Sequence, residues 1–207
     1  MAFTLCPSPC LGLPTTDLEK IDMQPDRPTG PTLRIGLAAE HQHTSLADLL
    51  CELHAFYNDG ARPSRQVVLE HLQQKLLAPD SAQRLLLASR SDGVVVGLAA
   101  FSLVYSLVEF APDHRRHCQL KELYVSASER SHGVGRALMA GLARYALDQG
   151  CRRVDWPVKA SNARGIVFYE SLGAEHVAER LSYRLTAPAL GQLALETACA
   201  DARPAQH

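Results

Sequence analysis

Arg130-Ser-His-Gly-Val-Gly-Arg-Ala-Leu138 joins a strand-like run, Gln119 to Val125, to a long amphipathic segment. Downstream of it, Val134, Ala137, Leu138, Gly141, Leu142, Tyr145 and Ala146 recur at the three-and-four spacing of one helix face, and Gly150 stands where such a helix would end. A strand, a glycine turn and a helix start gather unpaired backbone N–H groups and a positive dipole end at one point, which suits a phosphate or pyrophosphate. A plainer reading is that Gly133 and Gly135 only allow a tight turn into the helix. Position 138 is leucine where a dinucleotide fingerprint needs glycine or alanine, and no Gly-Lys-Ser/Thr follows, so neither common nucleotide loop applies.

Working outward, the N-terminal side supplies the rest of a layered domain. Leu33–Leu37 reads as a strand, Ser45–Tyr57 as a helix with Ser45 as cap, and Ser64–Leu77 as a second helix. Leu85–Ser89 and Val94–Val104 read as strands turned back by Asp92-Gly93, a strong hairpin pair. The loop Ser106–His117 is long enough to contribute to a substrate entrance. In Gln119–Val125, Leu120 and Tyr124 share a parity with Glu122, while Leu123 and Val125 share one with Lys121; a bulge would reconcile the two apolar sets.

On the C-terminal side, Arg152–Val158 reads as a strand whose Pro157 cannot donate to a ladder. A bulged strand beside a proline-ended one should splay apart and expose backbone that an extended amide ligand could pair with. Asn162–Leu172 reads as a short helix closed by Gly173, Val177–Leu185 as a terminal strand or hairpin, and the run after Pro188 as a tail without a strong partner signal. The proposed division is an arm over 1–31 that holds half of the 12 prolines, one domain over 32–186, and a tail over 187–207.

Composition sets outer limits. With 207 residues and 46% hydrophobic content the chain can bury one substantial core, and a net charge of −1 gives no dominant attraction to nucleic acid or an anionic membrane. Six cysteines lie scattered without a Cys-x-x-Cys pair, and the N-terminal apolar run is broken by Pro7 and Pro9, so reduced thiols and a cytoplasmic location are the expectation. His114, His117, Cys118 and Glu40, His41, His43 form no completed metal-ligand set, and no metal is expected.

Glu122-Leu-Tyr-Val125, Arg130-Ser-His-Gly-Val-Gly135, and Asn162 followed by Phe168-Tyr169 and Leu172-Gly173-Ala174 together resemble the GNAT superfamily of N-acetyltransferases, which bind acetyl-CoA. The resemblance extends more loosely over 32–186. Asp155-Trp156-Pro157-Val158 and Phe168-Tyr-Glu-Ser-Leu-Gly-Ala-Glu175 look most like the diamine (spermidine/spermine) N-acetyltransferase branch. It implies an α/β (α+β) fold, a mixed, mostly antiparallel central sheet flanked by helices, with splayed parallel strands at the cofactor site. It also implies an acetyl transfer to a primary amine of a small molecule, diamine- or polyamine-like, or of a protein, and leaves room for a homodimer. Leu123, Tyr124 and Val125 would hold the pantetheine arm, Arg130, Ser131, His132, Gly133, Val134, Gly135 and Arg136 the pyrophosphate, and Asn162 and Tyr169 the far side of the cofactor.

The chemistry of the residues agrees with that implication. Tyr169, with a phenol that stays protonated at neutral pH, could protonate the departing thiolate, and Glu122 could take a proton from the incoming ammonium. Either side chain could instead be structural: Tyr169 a core aromatic beside Phe168, Glu122 a solvated strand carboxylate. The resemblance would set Glu122, Asp155 and Trp156 toward the acceptor, with Glu109 as further negative charge; the plainer reading makes Trp156 a packing residue and Asp155 and Glu109 solvated carboxylates. Lys121-Glu122 departs from the two adjacent acidic residues of the polyamine branch, which weakens the expectation of a polyamine substrate. The competing functional reading is a CoA-binding regulatory module that has lost transfer activity.

Overall fold

The computed structural model describes residues 33–201, so the expected arm over 1–31 lies outside the described residues. Five strands, β1 (Arg34–Leu37), β2 (Gln83–Ser89), β3 (Val95–Tyr105), β4 (Arg116–Val125) and β5 (Val154–Asp155), form one sheet in sequence order. The first three pairings are antiparallel and β4 with β5 is parallel. Helices α1 (His43–Tyr57) and α2 (Arg65–His71) precede β2, α3 (Val134–Asp148) makes the crossover that a parallel pair needs, and α4 (Ala163–Glu170) and α5 (Ala187–Asp201) follow β5. The mixed sheet flanked by helices is the fold expected above.

Period-two alternation divides the strands between two apolar layers. Leu86, Ala88, Val96 and Phe101 face α3, where Val134, Leu138, Leu142 and Ala146 are buried against them. Leu85, Leu87, Leu98 and Ala100 face the other side, against Leu46 and Leu49 of α1 and Leu72. Strands buried on both faces therefore read as nearly continuous apolar runs. The α3 stripe is the one anticipated from its spacing, and Gly150, at φ +75°, follows its end in the left-handed conformation that glycine permits.

The hairpin between β2 and β3 forms at Asp92-Gly93: the Val94 N–H donates to Asp92 Oδ1 at 3.0 Å and Gly93 adopts φ +86°. The anticipated bulge is present in β4. Ala100 pairs with Glu122 and Phe101 with Leu120, leaving Lys121 as the extra residue. Leu120 thereby joins Leu123 and Val125 on the α3 face, while Tyr124 turns to the α1 face. Pairing between β4 and β5 is confined to Cys118 with Val154 and Gln119 with Asp155. Beyond that the strands have no shared ladder, as the bulge and Pro157 predict.

Other expectations are corrected. α1 starts two residues before Ser45, because Gln42 accepts the Ala39 N–H at 3.1 Å and a 3₁₀ turn over Glu40–Gln42 leads into the helix. Ser45 Oγ instead accepts the Val95 N–H at 2.8 Å, tying α1 to β3. Ser64 does cap α2 through the Val67 N–H, but the segment to Leu76 continues as a π-helical turn, Leu72–Leu76. The loop between β3 and β4 sits at the sheet end away from the splay, with Leu107, Val108 and Phe110 exposed, so it does not form a substrate entrance. Val177–Leu185 forms no strand: its alternation at Leu181, Tyr183 and Leu185 is strand-like, but the two-residue β5 has almost no ladder to extend. The tail after Pro188 begins as helix α5, since proline is tolerated in a first turn and alanine and leucine favour the helix.

Close packing of α3 on the sheet depends on Gly141, where an added Cβ would lie 2.5 Å from Ile35 Cγ2 and 3.2 Å from Leu86 Cδ2. Replacing it with valine overpacks this seam, and Gly141→Val should lower stability by about 1–3 kcal/mol in urea titration. An unchanged midpoint would mean that α3 does not rest on β1 and β2 in this way.

Candidate active site

Where β4 and β5 separate, a cleft of about 1000 Å³ opens between Leu120–Val125, the start of α3, Trp156–Lys159 and α4. Its size suits an extended cofactor arm together with a small second ligand. Of the residues anticipated for the site, Glu122, Leu123, Tyr124, Val125, Arg130, Ser131, Gly133, Val134, Gly135, Arg136, Trp156, Asn162 and Tyr169 line this cleft. His132 and Asp155 do not. His132 is exposed outside the lining set, and the Asp155 carboxylate is engaged by Arg153 at 3.0 Å and Arg180 at 3.6 Å. Glu109 lies on the distant β3–β4 loop, 3.9 Å from His114.

One end of the cleft has the chemistry that suits an anion. Ser131 and Gly133 take positive φ, +68° and +79°, and this turn aims the start of α3 into the cleft with no side chain capping it. The first-turn N–H groups have no intrahelical acceptor, and the dipole adds positive potential. α4 packs close to Gly135, where an added Cβ would reach Phe168 Cζ at 3.4 Å, an ordinary van der Waals contact. Three arginines surround the turn. Arg164 donates to Ser131 Oγ at 2.9 Å and Arg136 to Ser171 O and Oγ at 3.1 and 3.2 Å. The Arg130 guanidinium sits over the rings of Phe56 and Tyr124, at 5.3 and 5.4 Å, and donates from Nε to Val125 O at 3.1 Å.

The turn is braced from α1. Glu52 accepts the Tyr124 hydroxyl at 3.1 Å, the Ser126 hydroxyl at 2.9 Å and the Ala127 N–H at 2.8 Å. Burial alone would raise the Glu52 carboxyl pKa, but these three donors and the nearby Arg130 outweigh it and hold the group below its usual range. Asn162 is committed in part to local structure, since its Oδ1 accepts the Gly165 N–H at 3.0 Å and caps α4.

Titratable groups collect at the other end. Tyr57, at the end of α1, donates its hydroxyl to Glu122 at 3.1 and 3.2 Å from the two carboxylate oxygens. Burial pushes the Glu122 carboxyl up, partly opposed by this hydrogen bond and by Lys159. Tyr169 packs between Trp156 and Phe168, ring centroids 5.0 and 5.2 Å away, and its phenol is raised first by burial and then by the charge of Glu122. A half-buried carboxylate and a protonated phenol thus line the same space. The arrangement suits acyl transfer to an amine.

Tyr57, Phe56, Lys159 and Arg164 were not found from the sequence. Tyr57 lies 65 residues from Glu122, so no local spacing links them. Phe56 continued an apolar helix stripe. Arg164 and Lys159 look like ordinary solvated cations until the fold sets them across from Ser131 and Tyr57.

Comparison with known proteins gives a consistent family. The model of the acetyltransferase (GNAT) family matches residues 45–174. Thialysine N-epsilon-acetyltransferase from Mus musculus is 29% identical over 104 residues, covering 49% of this chain and 58% of that protein. L-ornithine N5-acetyltransferase from Arabidopsis thaliana is 28% identical over 138 residues, covering 64% of this chain and 57% of that protein. The chain thus spans little more than half the length of these curated relatives.

Among solved structures, an integron cassette protein from the mobile metagenome of V. cholerae superposes with a TM-score of 0.71 at 27% identity, covering 80% of this chain and 99% of that one. An aminoglycoside N-acetyltransferase in complex with CoA shares the fold, at a TM-score of 0.59 and 22% identity over 77% of this chain and 98% of that one. The family match runs from α1 through the bulged strand and glycine turn to the end of α4, and the chain belongs to the GNAT acetyltransferase family.

Proposed function

We propose that this protein transfers an acetyl group from acetyl-CoA to a primary amine, with a small-molecule amine as the acceptor. The observation that carries the reading is the shared cleft: Glu122 and Tyr169 face one space between an unpaired strand edge and an uncapped helix start. The uncapped turn with Arg130, Arg136 and Arg164 fits a pyrophosphate, and the free edge of β4 beyond Gln119 fits the amides of a pantetheine arm. The relatives named for thialysine and ornithine acetylation support an amine acceptor.

Acetyl-CoA supplies an activated thioester carbonyl. The residues of this chain handle protons around it. Glu122, directly or through water, takes one proton from the acceptor ammonium, leaving a lone pair free to attack. As the new C–N bond forms and the C–S bond breaks, the Tyr169 hydroxyl protonates the sulfur, the resulting phenolate regains a proton from the amide nitrogen, directly or through water, and Glu122 releases its proton to solvent. The balance is one ammonium and one thioester giving one amide, one thiol and one proton. The high phenol pKa keeps Tyr169 loaded as an acid, and the raised carboxyl pKa makes Glu122 a better base than an exposed glutamate.

Thiol release from acetyl-CoA across an amine panel, with product masses, tests the transfer; tight acetyl-CoA binding with no release on any amine would favour a regulatory module. Tyr169→Phe should lower kcat by about 100-fold while leaving the acetyl-CoA dissociation constant nearly unchanged. Undiminished turnover would remove Tyr169 as the acid.

The pH dependence has a definite sign. Activity should fall as pH drops through the Glu122 pKa, and that limb should lie above the ordinary carboxylate value of about 4.3 because burial raises it. Tyr57→Phe removes a hydrogen bond that favours the charged carboxylate, so the limb should move to higher pH in a kcat/KM profile. An acid limb that stays in place in both Tyr57→Phe and Glu122→Gln would assign it to another group.

A further inference from the structure

We propose that the acceptor is an amine whose far end carries a carboxylate, with Lys159 and Lys121 as its anchoring groups; this rests on the transfer reading above. The basis is the division of charge within the cleft. The three arginines all surround the glycine turn, where each is engaged by Ser131, Ser171 or Val125. The two lysines lie elsewhere, and neither belongs to an ion pair among the described residues, although Lys159 is near enough to Glu122 to favour its charged form. Lys159 follows the splayed end of β5, with its ammonium 5.3 Å from the centre of the Tyr57 ring, and Lys121 is the extra residue of the β4 bulge, directly before Glu122.

The available negative charge does not balance these lysines for a cationic acceptor. Of the two carboxylates that line the cleft among the described residues, Glu129 is paired with Arg90 at 3.3 Å, which leaves Glu122. Glu122 is half-buried, bonded to Tyr57 and already used as the base. A diamine bound by one end would bring a second ammonium into a region holding two lysine ammonium groups and no free carboxylate. Like charges of that kind repel, whereas a distal carboxylate would meet two donors. Tyr57 and Trp156 provide apolar walls for the methylene stem between the two ends. Lys159 is thus a specificity residue that selects among amines by the charge of the end that does not react.

Three acceptors of similar reach isolate that end: cadaverine presents an ammonium, L-lysine a zwitterionic head, and ε-aminocaproate a carboxylate. With the full chain and acetyl-CoA, thiol release should give kcat/KM values at least about 10-fold higher for L-lysine and ε-aminocaproate than for cadaverine. Lys159→Met should shrink that ratio several-fold, mainly through KM of the carboxylated acceptors, while Lys159→Arg should keep it. Equal or better use of cadaverine, or a ratio that survives Lys159→Met, would overturn the proposal.

If none of the three releases thiol, the transfer reading fails for these amines, and calorimetry on the CoA-loaded protein decides the binding question separately. Binding of ε-aminocaproate without binding of cadaverine supports the lysine anchor. Binding of both, or of neither, contradicts it.

Discussion

The site exists because two neighbouring strands stop pairing. β4 and β5 share only two register pairs, and from there the backbone of β4 has β3 on one side and open cleft on the other. Two local features prevent the ladder from continuing. Lys121 is an extra residue that bends β4, and Pro157 lacks the N–H that a longer β5 would need. Unpaired backbone in a protein interior would be costly, so such an edge is stable only where solvent or a ligand meets it. An extended amide ligand would complete the sheet.

The residues proposed for catalysis are then placed by packing onto that gap. α3 rests on the sheet through Val134, Leu138 and Leu142, which points its uncapped start at the cleft. α1 lies on the opposite face and makes two contributions: Glu52 gathers Tyr124, Ser126 and the Ala127 N–H to hold the approach to the glycine turn, and Tyr57 reaches Glu122. α4 closes the far wall with Phe168 and Tyr169, and Phe168 packs beside Gly135. The cleft therefore has arginines around the glycine turn at one end and Glu122 and Tyr169 at the other.

Much of this was legible because it is encoded locally. The α3 stripe, the Asp92-Gly93 hairpin, the bulge inferred from clashing parities around Lys121, and the proline-ended β5 all follow from spacing or from single-residue stereochemistry. Pairings between distant segments were not legible: Tyr57 with Glu122, Glu52 with Ser126 and Arg164 with Ser131 are decided by how layers stack. Local signals also misled where tertiary structure withheld a partner. Ser45 has the right chemistry for a cap but bonds to β3, and the alternating Leu181, Tyr183 and Leu185 stay exposed and form no strand.

Deleting Lys121 separates the needs of the core from those of the site. Leu120 and Glu122 already pair with adjacent residues of β3, so the shortened strand can keep Leu120, Leu123 and Val125 on the α3 face while losing the bend. If the bulge holds β4 and β5 apart, the deletion variant will unfold cooperatively near the wild-type midpoint but bind acetyl-CoA at least about 100-fold more weakly in calorimetric titration, since a regular strand closes the gap. Wild-type acetyl-CoA affinity in a folded deletion variant would contradict it.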